Sequence, residues 1–565
     1  LLVTPDSSST DYQGVISGTG GITLLGGGTV TLSGANTYGS HTGTTGSAAT
    51  GGTIIRNGTL VVSNPGSLGV GSTLELGDAT TVVANVDYAT AGSSVLGIER
   101  TVDPGAGNIG AYGGAFDPNG GGLIVAETRN AGPGAFYSVS RVIDGTTFGS
   151  ADIGKTILVK DEIDNPERNG IYSIIAINDD LTMNLVRVTE FSTASNMRYG
   201  TQVTVSNGTY AGQTYFMAAP DVGVVNGVDT APVHWVRDES NPDVRLQIDN
   251  AALTTVSQNI DVNANGFGST IIASANPVTF TGSVTLQDVR SGVQETKTVT
   301  VDSSTTTGLG VAFSGVLREA DGGSTAQDDI LSLLKVGTGV VTMTGANTYH
   351  GSTTISAGTL LVNNLTGSGT GSGAVLVNSG ATLGGTGRLA PSNGSDITIA
   401  TGANLTVGTP GSNLAQTLTV SLETGSDLIL GGTLRLDLLL NESLTTSSEA
   451  DRLVFSKTGT PAVNLTGSTL VVSAINGLDP ASFGVGDTWK LIDWAGIVPT
   501  STFSNLTGTY SSNFTDLPDL GLGKFWDISQ LYTAGTIIVA VPEPSRLLLL
   551  AFGAFALGWR RRRRC

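Results

Sequence analysis

The segment LLGGGTVTLSGANTY at residues 24–38 returns as KVGTGVVTMTGANTY at residues 335–349, a constant offset of 311 positions in a 565-residue chain. Each copy then runs into a second shared element, NGTLVVSN at 57–64 and AGTLLVNN at 357–364. Gly34 to Gly58 is 24 residues and Gly345 to Gly358 is 13, so the first copy carries 11 extra residues, largely HTGTTGSAATG. An insertion of that size is tolerated only at a surface turn. A unit this short cannot bury its own apolar face. It must stack on neighbours, which points to a solenoid.

The unit itself is readable. Val30 and Leu32 in the first copy, and Val341 and Met343 in the second, alternate with Thr, as in a strand with one buried face. Gly-Ala-Asn-Thr-Tyr then supplies a corner, with Gly34, Asn36 and Tyr38 in one copy and Gly345, Asn347 and Tyr349 in the other. Gly and Asn tolerate left-handed backbone, and Asn can bond within its own loop, so these positions are expected to serve the fold and not a ligand. Short strands recur elsewhere as STLELG, VRLQID, GSVTLQ, AVLVNSGATLGG, ANLTVG, QTLTVSL, GTLRLDLLL and STLVVSA. Helical periodicity is nearly absent before residue 546. The 80 glycines follow no triplet period with Pro, which excludes collagen.

The stretch GTGVVTMTGANTYHGSTTISAGTLLVNN (337–364) resembles the autotransporter-associated β-strand repeat, also called the passenger-associated transport repeat. The likeness lies in GTG, the G-x-NTY-x-G-x-T core and the I-x-AGTL end. The second copy matches almost throughout, and the first departs through its insertion. The resemblance implies a long, secreted bacterial surface protein with a right-handed β-helical body. LPDLGLGKFWDISQLYTAGTIIV (517–539) is similar to the end of such bodies. The expected fold is therefore all-β, a right-handed parallel β-helix with one inserted all-β module and a C-terminal apolar helix. Residues 1–100 are expected to form rungs with the first repeat, and 101–242 a Gly-rich linker and the module. Rungs resume over 243–540, with the second repeat at about 335–390, and a sorting tail fills 541–565.

The module is marked by IGKTILVKDEIDNPERNGIYSIIAIN, LVRVTEFSTASNM, GTQVTVSNGTYAGQTYF and VHWVRD, richer in charge and aromatics than the rest. In order and spacing, residues 133–240 are similar to a small β module of phage tail-fibre-like and bacterial surface proteins. That resemblance carries no chemistry.

The chain closes on VPEPSRLLLLAFGAFALGWRRRRRC. The apolar run Leu547–Trp559 is 13 residues, shorter than the roughly 20 of a self-sufficient span. Five arginines follow it, Arg560, Arg561, Arg562, Arg563 and Arg564, which resist translocation and hold that end in the cytoplasm. With Pro542, Glu543, Pro544 and Ser545 ahead of the run, the tail resembles the PEP-CTERM sorting signal in all three of its parts. Arg546 and Cys565 are small departures. The resemblance implies transient retention in the inner membrane and recognition by an exosortase, a membrane-embedded cysteine transpeptidase or protease that removes the tail.

Charge limits the partners. The formal net charge is −19, and the body without the five tail arginines carries 22 basic against 46 acidic residues. Phosphate repels such a surface, so nucleic acid is not expected, whereas a surface polysaccharide remains open as a partner. The one cysteine, Cys565, allows no internal disulfide and no Cys-based metal site. The chain opens at Leu1 with no visible signal peptide, so either one has been removed or the sequence is a fragment. His41 and His350 follow the two corners and are expected on exposed loops, apart from each other and from His234. Asp161, Glu162 and Asp164 lack the spacing of a calcium loop, and with Asp179 and Asp180 they read as turns. No metal or cofactor is expected. The function expected is a non-enzymatic, structural or adhesive surface component. The alternatives are a β-helical carbohydrate-active enzyme, which needs carboxylates clustered on one rung face, and a glycan- or receptor-binding module on a solenoid stalk.

Overall fold

In the computed structural model, runs of eight or more residues outside the description are 40–51, 90–135, 161–169, 189–201, 288–295, 321–328, 440–448 and 542–565, with shorter gaps elsewhere. All other residues are described. They divide into two compact units, one of Leu1–Gln247, Asp261–Thr270 and Gln287–Glu295, the other of Ile248–Ile260, Ile271–Leu286 and Thr296–Cys565. Among the described residues there are strands, turns and short 3-10 segments, and no α-helix. The expected apolar helix over Leu547–Trp559 lies outside the described residues.

The second unit is built of parallel rungs. One stack contains Thr296–Ser303, Ile330–Val336, Thr353–Ile355, Val375–Val377, Ile397–Ile399, Leu428–Leu430 and Val463–Asn464. A second contains Val278–Phe280, Val311–Phe313, Val340–Met343, Thr359–Val362, Thr382–Gly385, Asn404–Val407, Thr433–Leu439 and Thr469–Ala474. Strands of a third side follow, first Val284–Gln287 and Leu317–Glu319, later Arg388–Leu389, Thr417–Leu422, Arg452–Lys457 and Ile492–Asp493. The chain visits the sides in the same order, so each rung lies on the one before it.

Register converts the period-two pattern into columns. Val278, Val311, Val341, Leu360, Leu383, Leu405, Leu434 and Leu470 are successive partners in the second stack. Each is 2 % exposed or less. At about 1.5–3 kcal/mol per buried aliphatic side chain, such a column is the main force holding rungs together. Phe280 and Phe313, also partners, stack at 5.0 Å between ring centroids.

The first unit repeats this plan in two parallel stacks. Leu2–Val3, Ile22–Leu24, Thr53–Ile55 and Leu74–Leu76 form one, and Ser9–Tyr12, Thr29–Leu32 and Gly58–Val62 the other. The 11-residue insertion leaves pairing intact. Leu32 partners Val62 in the first copy as Met343 partners Val362 in the second, 30 and 19 positions on. Most of the insertion lies outside the described residues.

The inserted module belongs to the first unit. Its larger sheet pairs Thr156–Val159, Gly170–Ile177, Thr182–Arg187 and Phe136–Ser140 antiparallel. Val139, Phe148, Ile157, Tyr172, Ile174 and Leu185 lie in its core. Val83–Val86 and Tyr88–Ala89 join the module's sheets, pairing parallel with Gln202–Val205 and Thr156–Val159. The module's strands thus start before residue 101. After the module the chain returns to its point of departure: Asn263 Nδ2 donates to Glu75 Oε1 at 3.0 Å across 188 positions.

The sequence carries rungs to residue 540, but the structure gives the end of the second unit to a cap. Thr488–Lys490, Thr536–Ala540, Phe525–Asp527 and Tyr510–Ser511 form an antiparallel four-stranded sheet in that spatial order. Aromatic packing decides this. Phe483, Trp489 and Trp526 meet at centroid distances of 4.5, 5.5 and 6.2 Å. Trp526 is fully buried and donates its indole N–H to Pro518 O at 2.9 Å.

Candidate functional site

The two corners share one geometry. Asn36 and Asn347 are 4 % and 3 % exposed. The Asn347 side chain accepts from Leu317 N at 2.9 Å and donates to Gly369 O at 2.7 Å. Its backbone N–H donates to Ser368 O at 2.8 Å. Asn36 accepts from Ile16 N and donates to Ser67 O, both at 2.8 Å, and its N–H donates to Gly66 O at 2.9 Å. Each amide therefore ties the preceding rung to the following one. A carboxamide is suited to this because it carries an acceptor and a donor on one short planar group.

This corrects the expectation of a local, left-handed corner. Neither Gly34 nor Gly345 has positive φ, and among the described residues the positive-φ residues other than glycine are Leu181 and Ala495. The glycines are required by close approach instead. A Cβ on Gly345 would overlap the carbonyl oxygen of Gly315, one on Gly315 that of Gly282, and one on Gly34 that of Gly14. Backbone passes over backbone there, and a methyl group has no room. The Asn side chains bond to adjacent rungs, not to their own loop.

The corner tyrosines complete the unit. Tyr38 and Tyr349 are 2 % and 0 % exposed, and each hydroxyl lies 2.6 Å from a threonine hydroxyl, Thr53 or Thr353. Burial pushes the Tyr38 phenol up to about 12, against a smaller opposing effect of the Thr53 bond. Burial likewise raises that of Tyr349, with the Glu319 charge adding to it.

Several buried or half-buried ionisable groups escaped the sequence reading. Lys335 stands where the first copy has Leu24, lies in an inward column between Val301 and Ile355 that continues through Val377, Ile399 and Leu430, and is 0 % exposed. Its ammonium donates to the carbonyls of Val336, Gly337 and Ala357 at 2.6, 2.8 and 3.1 Å. Burial lowers its pKa to about 8, and the Asp302 charge opposes the shift. Its inward position in LSLLKV was the available signal, since Leu331 and Leu333 face the same way. Glu319, 3 % exposed, accepts from Leu331 N and His350 N, and its other oxygen lies 3.3 Å from His350 Nδ1. His350 is thus on a partly exposed corner, fastened to the rung below. Asp451 is 4 % exposed and accepts from Gln416 N at 2.8 Å. Burial lifts its carboxyl to about 6, the Asp437 charge adding to the effect, and burial raises Asp437 too.

His41, His234, Asp161, Glu162, Asp164, Asp179 and Asp180 lie outside the described residues. So does the tail from Pro542 to Cys565, with the sorting residues Glu543, Pro544 and Ser545 and the arginines Arg560–Arg564. Among the described residues, no three His, Cys, Asp or Glu side chains gather as a metal site. No helix there is long and apolar enough to cross a membrane. The described chain ends at the cap strand Thr536–Ala540 and the exposed Val541.

Residues 333–362 match the passenger-associated-transport-repeat family, and residues 540–563 match the PEP-CTERM protein-sorting motif. The chain carries both the repeat and the sorting signal. No curated protein gives a significant match.

Proposed function

We propose that this chain is a structural or adhesive component of the cell surface or extracellular matrix, delivered by its C-terminal signal and without catalytic activity of its own. Export to the envelope or surface follows from the PEP-CTERM motif, and exosortase processing is associated with that motif. The observation that carries the reading is the succession at residue 540. A body of stacked rungs ends in an aromatic cap, and the sorting motif begins on the cap's last residue, Ala540. A right-handed coil is the sense that parallel crossovers adopt almost without exception. The corner residues support a structural role, because their polar groups are spent on bonds between rungs. The tail supplies transient retention in the inner membrane through Leu547–Trp559 and Arg560–Arg564, and a surface polysaccharide is the partner for the released body. The test is Glu543→Ala in a host that carries an exosortase. The variant should accumulate as an uncut, membrane-retained form, and normal maturation would refute the sorting role.

A further inference from the structure

The triplet Asn-Leu-Thr begins at residues 364, 404, 464 and 505, and Asn-Phe-Thr at 513. Asn-x-Ser/Thr is the pattern on which a sugar is joined to an asparagine side chain, provided that the amide nitrogen can be reached. All five triplets lie within the described residues, and the structure places their amides differently.

Four of the five amides are committed to the fold. Asn364 is 3 % exposed, and its Nδ2 donates to Thr366 O at 3.0 Å and Gly367 O at 3.3 Å. Asn505 Nδ2 donates to Leu470 O at 2.8 Å and to Asp516 Oδ2 at 3.0 Å. Asn513 Nδ2 donates to Asn505 O at 3.3 Å and to Asp516 Oδ2 at 3.1 Å. Asn404 Nδ2 donates to Thr382 Oγ1 at 3.5 Å, and its Oδ1 accepts from Arg435 Nε at 3.0 Å. These side chains tie turns and rungs together, as Asn347 does.

Asn464 is arranged the other way round. Its Oδ1 accepts from Thr466 N at 2.9 Å and from the Ser501 hydroxyl at 3.1 Å. A backbone N–H can be met only by the oxygen, so the orientation of the carboxamide is fixed. Nδ2 is left over: among the described residues it donates to no protein atom, and it is open to solvent. The strand Val463–Asn464 is the last of its stack, and Val463 is 0 % exposed, so Asn464 points outward. The outward column that it ends, Thr354, Leu376, Thr398 and Ile429, holds no charged group. In a chain of net charge −19, an anionic sugar donor meets less repulsion over this neutral face than over the acidic surface.

We propose that Asn464 is an N-glycosylation acceptor, modified on the folded body by transfer from a glycosyl diphosphate. In the transfer Nδ2 attacks the anomeric carbon of the donor. The C–N bond forms as the bond from that carbon to the diphosphate oxygen breaks. The diphosphate leaves with the electron pair, and one Nδ2 proton passes to a base of the transferase, so no oxidant or reductant is consumed. The first sugar then lies beside Ile429, the cross-strand neighbour of Asn464, whose side chain is 38 % exposed.

The experiment isolates the protein from the cells that make it and digests it with trypsin, which cuts after Lys457 and Lys490 and leaves Asn464 in one peptide. The mass of that peptide should exceed its sequence mass by whole sugar residues, which fragmentation should place on Asn464. Single hexoses added stepwise would identify a nucleotide-diphosphate sugar as the donor, and one complete oligosaccharide a lipid-diphosphate carrier. Asn464→Gln and Thr466→Ala should each return the peptide to its sequence mass, and Thr466→Ser should keep the increment. Peptides that hold Asn364 and Asn505 should be unmodified. An unmodified 458–490 peptide from the parent would overturn the proposal, and this result needs no variant to fold. So would an increment that survives Asn464→Gln, which would put the sugar on a hydroxyl. Equal occupancy at Asn364 or Asn505 would also overturn it, because the fold would then not select the site.

Discussion

Replacing Asn347 by Ala tests the claim that the repeated corner is an inter-rung tie. The variant removes the acceptor of Leu317 N and the donor to Gly369 O, both at a side chain 3 % exposed. Water cannot take over without entering the corner. The orphaned N–H and C=O each lose a bond and keep their desolvation penalty, which together amount to about 2–4 kcal/mol. A long stack of rungs need not unfold in one step, so the urea midpoint should be paired with hydrogen exchange at Leu317. The midpoint should fall and the Leu317 amide should lose protection, while the Trp526 region should change little. Asn347→Asp sharpens the test. Its oxygen can still accept from Leu317 N, but a second oxygen then faces Gly369 O. The folded state would favour the protonated acid, which can donate to that carbonyl, so its carboxyl would titrate above the unfolded value. Stability of this variant should then decline as pH rises through the carboxylate range, unlike that of Asn347→Ala. A stability within about 0.5 kcal/mol of the parent in Asn347→Ala, with Leu317 exchange unchanged, would refute the reasoning.

Other expectations follow from the same geometry. Gly345→Ala should cost about 1–3 kcal/mol by thermal unfolding, because its Cβ overlaps the carbonyl of Gly315, and Gly315→Ala should do likewise against Gly282. For Asp451, whose carboxyl is raised from 3.8 to about 6, the folded state binds the extra proton, so the parent loses stability as pH rises from about 4 to 6. Asp451→Asn should abolish that slope and be more stable at pH 7 by about 1 kcal/mol, after discounting for solvent screening. For Lys335, lowered from 10.5 to about 8, the unfolded state binds the extra proton, so stability should rise between pH 8 and 10.5. Lys335→Met should flatten that rise in urea titrations across the range. Deleting 541–565 should leave the body folded and released into the medium, and loss of folding by circular dichroism would show that the tail is part of the body.

What could be read from the sequence was whatever depends on periodicity. Alternation of Val and Leu with Thr placed the inward columns, because a strand has only two faces and one of them is wet. The repeat offset placed the 11-residue interruption at a turn, and the structure shows the pairing beside it unchanged between the two copies. The cap was not legible as a change of direction. Thr536–Ala540 has the same alternating pattern as any rung strand, and the aromatic packing beside it joins Phe483 and Trp489 to Trp526, 37 positions after Trp489.

The corner was legible in position but not in cause. Gly-x-Asn-x-Tyr has the composition of a turn, and local turn chemistry offered a sufficient explanation for both Gly and Asn. The structure selects a different one, because in a solenoid the nearest atoms to a residue are on the rungs above and below, about 20–30 positions away in sequence. Leu317 and Gly369 are 30 and 22 positions from Asn347, and Ile16 and Ser67 are 20 and 31 from Asn36. Rung length varies, so no fixed spacing in sequence marks these partners, yet both copies arrive at the same pair of side-chain bonds. The invariant is the stacking geometry and not the local loop. It follows that insertions between corners are compatible with the motif, whereas a change at Asn36 or Asn347 is felt by three rungs together.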